Sequence, residues 1–217
     1  MTTTEVSAVR RWWGFALPAV AIAVLAPLPY ARGSLTSLAA DNDLAANYAD
    51  RATWVQAAFY LHITCGGAAL LLSPMQFAAR LRQRAPLLHR TCGRIIFAAI
   101  MLGSVAGLVL APFNLAGPIG AAGFGSLAIL WGGSAVGAIR AARRRDFAAH
   151  RRWAIRVFAL TYAAVMLRVW LIILISLQIG VAADTAFTRA YHVVPFLCWV
   201  PNLLIAERIN RNEASTT

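Results

Sequence analysis

Six apolar runs, each close to the length that crosses a bilayer, alternate along this chain with short polar links, and that alternation leaves few other folds open. They cover residues 12–30, 54–79, 92–113, 119–139, 153–179 and 190–206. A span needs roughly 20 predominantly apolar residues to cross a hydrocarbon core of ~30 Å. Within lipid every backbone N–H and C=O must be bonded inside the protein, so isolated runs of this length fold as helices. The expected fold is all-α, an integral membrane bundle of six transmembrane helices in one domain, residues 1–217. Charged residues make up 13 % of the chain, about half the usual share of a soluble domain. No stretch is long enough for a separate water-soluble unit.

The charges fix an expected orientation. All 20 basic residues are arginine. Arg10 and Arg11 precede the first run. Arg80, Arg82, Arg84, Arg90 and Arg94 flank the second link. Arg140, Arg143, Arg144, Arg145, Arg151, Arg152 and Arg156 flank the fourth, and Arg208 and Arg211 follow the sixth run. Six alternating helices put all of these on one side. Arg32, Arg51 and Arg189 fall on the other, with Asp41, Asp43, Asp50 and Asp184. Cytoplasmic loops carry the arginine excess, so both termini are expected inside, in the inner membrane of a bacterial cell. The same asymmetry explains the net charge of +12 without nucleic acid, for which no soluble basic surface exists. The first run is longer than the apolar region of a signal peptide and lacks a good small-residue cleavage site, so a retained helix is expected. The sixth run is the shortest and holds Pro195 and Pro201, which suggests a kink or a half-span.

Ionisable groups inside a bilayer are costly and mark functional sites. Arg168 lies ~24 Å beyond Arg152 at 1.5 Å per helical residue, well within the outer leaflet. No Asp or Glu falls inside an apolar run to pair with it. His62 and His192 lie ~27 Å and ~24 Å from the arginines that close their own runs, so three side chains from three helices share one depth. His89 and His150 sit at the cytoplasmic edge. Two histidines at each level, on four helices, suit two bis-histidine haems stacked across the bundle. An arginine nearby suits a haem propionate. His62 and His192 are the expected axial pair to the metal, with Arg168 on a propionate, and His89 with His150 form a second pair. The stripe His62, Gly66, Ala69, Ser73, Gln76 leaves room for a flat ring below His62.

Other readings use the same side chains. His89 and His150 each precede arginine, as juxtamembrane residues facing phosphates do. Arg168 could hydrogen-bond helix carbonyls, snorkel to outer headgroups, or hold a polar or anionic small-molecule ligand in a non-enzymatic membrane protein or small transporter. A quinone-like ring held by histidine, Arg168 and Trp170 is a further option. A zinc site from His62, Cys65, His192 and Cys198 fits poorly, since Cys65 lies ~300° around its helix from His62 and Cys198 ~240° from His192. Glycine-rich faces on the third and fourth runs suit tight helix packing or a membrane protein partner. No hydrolase motif, phosphate loop or membrane carboxylate relay is present.

Several blocks together carry a resemblance. They are Leu61-His62-Ile63-Thr64-Cys65-Gly66, Ser73-Pro74-Met75-Gln76-Phe77, Leu88-His89-Arg90-Thr91-Cys92-Gly93-Arg94, His150-Arg151-Arg152-Trp153-Ala154-Ile155-Arg156 and Trp199-Val200-Pro201-Asn202-Leu203. With these, residues 54 to 208 resemble the bacterial predicted membrane proteins grouped as domain of unknown function 2306. That resemblance implies a membrane bundle and brings no activity, cofactor or substrate. The histidine layout more weakly resembles di-haem transmembrane cytochromes b. Those families usually pair histidines on four consecutive helices, whereas here the helices are the second, third, fifth and sixth.

Overall fold

The computed structural model describes residues 3–214, apart from the side chains of residues 3–11, 79, 80 and 214. Arg10, Arg11 and Arg80, counted above, therefore lie outside the described side chains. Twelve α-helices are described: α1 Thr3–Leu25, α2 Leu28–Arg32, α3 Leu35–Leu38, α4 Asp43–Ala49, α5 Thr53–Gln76, α6 Ala79–Arg84, α7 Pro86–Leu110, α8 Gly117–Arg143, α9 Phe147–Thr161, α10 Ala163–Ser176, α11 Ala183–Leu197 and α12 Val200–Ala214. They supply six helices or helix pairs long and apolar enough to cross a membrane: Trp12–Arg32, Thr53–Gln76, Pro86–Phe113, Gly117–Arg143, Phe147–Ser176 and Ala183–Glu213. The chain is an all-α, multi-pass membrane protein.

Helix starts lie earlier than hydropathy alone places them. Pro86 opens α7, where its missing N–H is one of the helix's unpaired donors anyway and its fixed φ suits the first turn. Asp146 caps α9 by accepting from the Ala149 N–H at 2.9 Å. Arg90, Arg94, Arg151, Arg152 and Arg156 thus sit on helices rather than in loops.

Two spans are broken rather than straight. The fifth breaks at Tyr162, between α9 and α10. Thr161 Oγ1 donates back to the Val157 carbonyl at 2.7 Å, a competing bond that bends helices, and accepts from Trp131 Nε1 at 2.9 Å. The sixth span is not the half-span its prolines suggest but a full crossing, broken between α11 and α12. There the Trp199 N–H bonds Phe196 O, and the Pro195 carbonyl is taken by the Trp199 indole instead, at 2.8 Å.

Packing radiates from α7 and α8. Helix α5 lies along α7, α8 lies between α7 and α9, α11 packs on α8 and α10, α12 on α9, and α1 on α5 and α10. Ile96, Ile100, Trp131, Leu160, Val194, Cys198 and Trp199 form the shared core. The glycine-rich face of α8 is what lets α11 close in: a Cβ at Gly123 would lie 2.6 Å from Pro195 Cβ. At the arginine-poor end α3 and α4 fold over α5 and α7. Tyr48 packs there on Phe59, with ring centroids 4.9 Å apart, and Asn47 Nδ2 donates to the Phe113 carbonyl at 2.6 Å.

Candidate functional site

At the arginine-rich end α5, α7, α8 and α9 line a cavity of about 1130 Å³. Small side chains make the space: Gly93 on α7, Ala135, Ala138 and Ala142 on α8, and Ala154 on α9. Ile96, Phe97, Ile100, Val157 and Phe158 make its apolar walls. Ser73 and Gln76, the inner end of the stripe running down from His62, reach it from α5. Arg82, Arg90, Arg94, Arg143, Arg145 and Arg151 line it as well, and no carboxylate does among the described residues.

Both edge histidines face this cavity. His150 is held rigidly, because its Nδ1–H donates to the Ala138 carbonyl on α8 at 2.9 Å. That bond fixes the tautomer and leaves the Nε2 lone pair for a ligand. His89, on the first turn of α7, accepts at its carbonyl from Gln76 Nε2 at 3.4 Å. Its Nδ1 is buried without a hydrogen-bond partner.

Helix ends set the rim. Arg145 occupies the residue after the α8 C-terminus with φ 59°. Asp146 N–H bonds Ala141 O at 3.0 Å and Arg145 N–H bonds Ala142 O at 3.1 Å, the paired closure in which glycine normally fills the left-handed position. Arg151 is bound to Glu213 of α12, Nε to Oε2 at 2.9 Å. Arg156 grips Glu207 through two N–H groups, Nη2 to Oε2 at 2.9 Å, and lies 4.5 Å from the centroid of the Trp153 ring. Those two pairs lock α9 to α12 and hold the cavity wall that carries His150.

The other histidine level is arranged differently, and here the expected pair is corrected. His62 on α5 donates from Nδ1 to the Gly103 carbonyl at 2.9 Å. Its ring lies on Gly107, where a Cβ would approach within 3.2 Å. His192 is exposed, and its Nδ1 donates to Thr188 O in its own helix at 2.7 Å. Helix α11 packs on α8 and α10 rather than on α5. The structure therefore does not bring His62 and His192 together as a metal-binding pair. Cys65, Cys92 and Cys198 are buried free thiols. No group of three or more His, Cys, Asp or Glu able to hold a metal ion occurs among the described residues.

Arg168 lies on α10 and donates from Nη1 to the Ala164 carbonyl of its own helix at 2.8 Å. Tyr191, one position before His192, packs against the shared core from α11. The buried residues Ala186, Ala190 and Val194 recur every fourth position and mark the inward face of α11. That spacing, readable in the sequence, turns Tyr191 inward and His192 away.

The family described as "Predicted membrane protein (DUF2306)" matches residues 59–209 of the chain. No curated protein and no solved structure matches it.

Proposed function

The chain belongs to the DUF2306 family of predicted membrane proteins, and we propose that it is a haem b-binding membrane redox protein whose cofactor lies in the cavity of the arginine-rich end. The observation that carries this reading is the convergence of two imidazoles, His89 from α7 and His150 from α9, on one large cavity with apolar walls and an arginine lining. Of the two pairs that the sequence suggests, this reading keeps the second, His89 with His150, and leaves out the first, His62 with His192.

The residues fit such a group in three respects. His150 Nε2 is presented with its ring oriented from behind by the Ala138 carbonyl, the outer-shell support that metal-binding histidines use. The isoleucine and phenylalanine walls suit the faces of a macrocycle. Arg82, Arg90, Arg94 and Arg145 line the cavity and would pair with the propionates, since planar guanidinium groups bind carboxylates well. Haem bound there would supply one-electron transfer. The chain's own part is to hold the ring, fix the imidazoles and neutralise the carboxylates. On this reading the arginine-rich end faces the cytoplasm, as the positive-inside rule expects, from the inner membrane of a bacterial cell.

The test is a reduced-minus-oxidised absorption spectrum of the full chain purified from haem-supplemented cells. A reducible haem band is expected, and colourless protein overturns the reading. The guanidinium of Arg168, which pairs with no carboxylate among the described residues, favours a second and separate reading, a polar or anionic ligand in the other half of the bundle.

A further inference from the structure

A second recess, of about 290 Å³, lies at the arginine-rich end in the seam between α8 and α9. Every residue lining it comes from these two helices or the turn between them. Its α8 wall is Gly137, Arg140, Ala141 and Arg144, whereas α8 gives Ala135, Ala138, Ile139 and Ala142 to the histidine cavity. At 3.6 residues per turn the two sets stand on opposite faces of the helix, roughly 180° apart. The recess therefore opens away from the histidine cavity, toward the surroundings of the bundle.

One end of the recess is apolar and the other charged. Gly137 lets the Trp153 indole of α9 lie against α8, since a Cβ there would come within 2.5 Å of the ring. Arg140 is the first charged residue after the fourth apolar run, and Trp153 opens the fifth. Both mark the level at which the hydrocarbon ends, where tryptophan is enriched. Arg144 stands one turn further out, ~10 Å from Gly137 along the helix axis.

The charge of this recess is not spent inside the protein. Arg151 and Arg156 of α9 are bound to Glu213 and Glu207. The side chains of Arg140 and Arg144 are exposed and make no hydrogen bond or ion pair among the described residues. The one carboxylate of the recess is Asp146, whose Oδ1 is engaged by the Ala149 N–H at 2.9 Å. Two guanidinium groups against one carboxylate leave the recess net positive. The positive-inside rule accounts for the number of arginines at this end, but not for two of them one turn apart on the wall of a recess whose other wall is an indole. Basic pockets between helices at this level suit lipid headgroups, and guanidinium groups match phosphate oxygens.

We propose that Arg140 and Arg144 bind the phosphate group of an anionic phospholipid, whose apolar part begins at Trp153. The site is separate from the histidine cavity and does not depend on haem.

The test is thermal unfolding of the full chain in nanodiscs in which phosphatidylglycerol replaces neutral phosphatidylcholine in steps. The melting temperature of the wild type should rise and saturate. Arg140→Gln combined with Arg144→Gln should abolish the saturable rise. Arg208→Gln combined with Arg211→Gln removes the same charge from α12, outside the recess, and should leave the rise in place. A further arm titrates sodium phosphate against sodium chloride at equal ionic strength in neutral nanodiscs, where no comparable rise is expected. No rise with phosphatidylglycerol, the same rise in the Arg140 and Arg144 double variant, or an equal loss in both double variants overturns the proposal, the last by showing a general effect of surface charge. A rise with soluble phosphate and none with phosphatidylglycerol overturns the lipid as the occupant.

Discussion

The two ends of this bundle use the same residue types, histidine and arginine, to opposite effect. At the arginine-rich end His89 and His150 face a cavity of about 1130 Å³ lined by α5, α7, α8 and α9. At the other level His62 is pressed onto Gly107 and tied to Gly103, while Trp131 fills the space against Gly103, where a Cβ would lie 3.1 Å from its ring. A histidine in a packed seam has its hydrogen bonding settled by the fold. A histidine on a cavity wall keeps a nitrogen for something else. Depth in the membrane, which sequence supplies, does not separate these cases. The surrounding packing does.

Exchanging the histidines is the sharpest way to break that contrast. His150→Ala or His89→Ala should eliminate the reducible haem absorption altogether with the fold retained. His62→Ala should keep the absorption and lose stability instead, by about 1–3 kcal/mol, since it removes a hydrogen bond and leaves a void in a packed seam. The reading is made on purified protein, by optical spectrum and thermal midpoint together. Loss of the band in His62→Ala with wild-type absorption in His150→Ala would reverse the assignment of the two levels.

A glycine from each region tests the packing difference itself. At Gly123 a new methyl group would lie 2.6 Å from Pro195 Cβ and 2.9 Å from its carbonyl carbon and oxygen. Gly123→Ala must push α8 and α11 apart, at a cost of about 1–3 kcal/mol. At Gly93, on the cavity wall, the nearest atom to a new Cβ is Gln76 Oε1 at 3.6 Å. Gly93→Ala should therefore be neutral or stabilising by up to about 1 kcal/mol, the helix preference of alanine over glycine. Thermal unfolding in detergent compares the two, and equal destabilisation would deny that one region is looser.

How far the sequence foretold these regions follows from what each depends on. Six spans were legible because length and hydropathy set them directly. The orientation of His192 was not legible from depth. Two residues separate it from Ala190, on the buried face of α11, and that turns it away from the bundle, so the alanine spacing was the signal to read. The early start of α9 was hidden because arginines that resemble a loop continue as a helix once Asp146 caps it. The cavity had only a partial signal, the stripe of small residues from His62 to Gln76 whose inner end reaches it, since the other walls come from α7, α8 and α9.

Arg145 gives a smaller test at the cavity's rim. Its φ of 59° puts an L-residue where glycine is at ease, at a cost of roughly 1–2 kcal/mol. Arg145→Gly should raise the unfolding midpoint while weakening haem retention, because it relieves the backbone and removes one carboxylate partner. Serial dilution of the purified haem protein measures the second quantity. A variant that is more stable and equally retentive would show that the rim arginine serves the turn alone.

The smallest effect lies in the cap at the opposite end. Tyr48, 5 % exposed in the loop over α5, has its phenol pushed up from 10.0 to about 12 by burial, with Arg51 pulling weakly the other way. A phenol whose folded pKa is raised stays neutral while the unfolded one ionises. Its contribution to stability is therefore full below pH 10 and is lost as pH climbs through about 12. The difference in ultraviolet absorbance between wild type and Tyr48→Phe, followed with pH, should show this phenol ionising near 12, and the two proteins' melting temperatures should change in parallel until pH 10 and diverge above it. Ionisation near 10 would mean the cap stands open, making the arginine-poor end as accessible to water as the histidine cavity and removing the contrast on which the two sites are told apart.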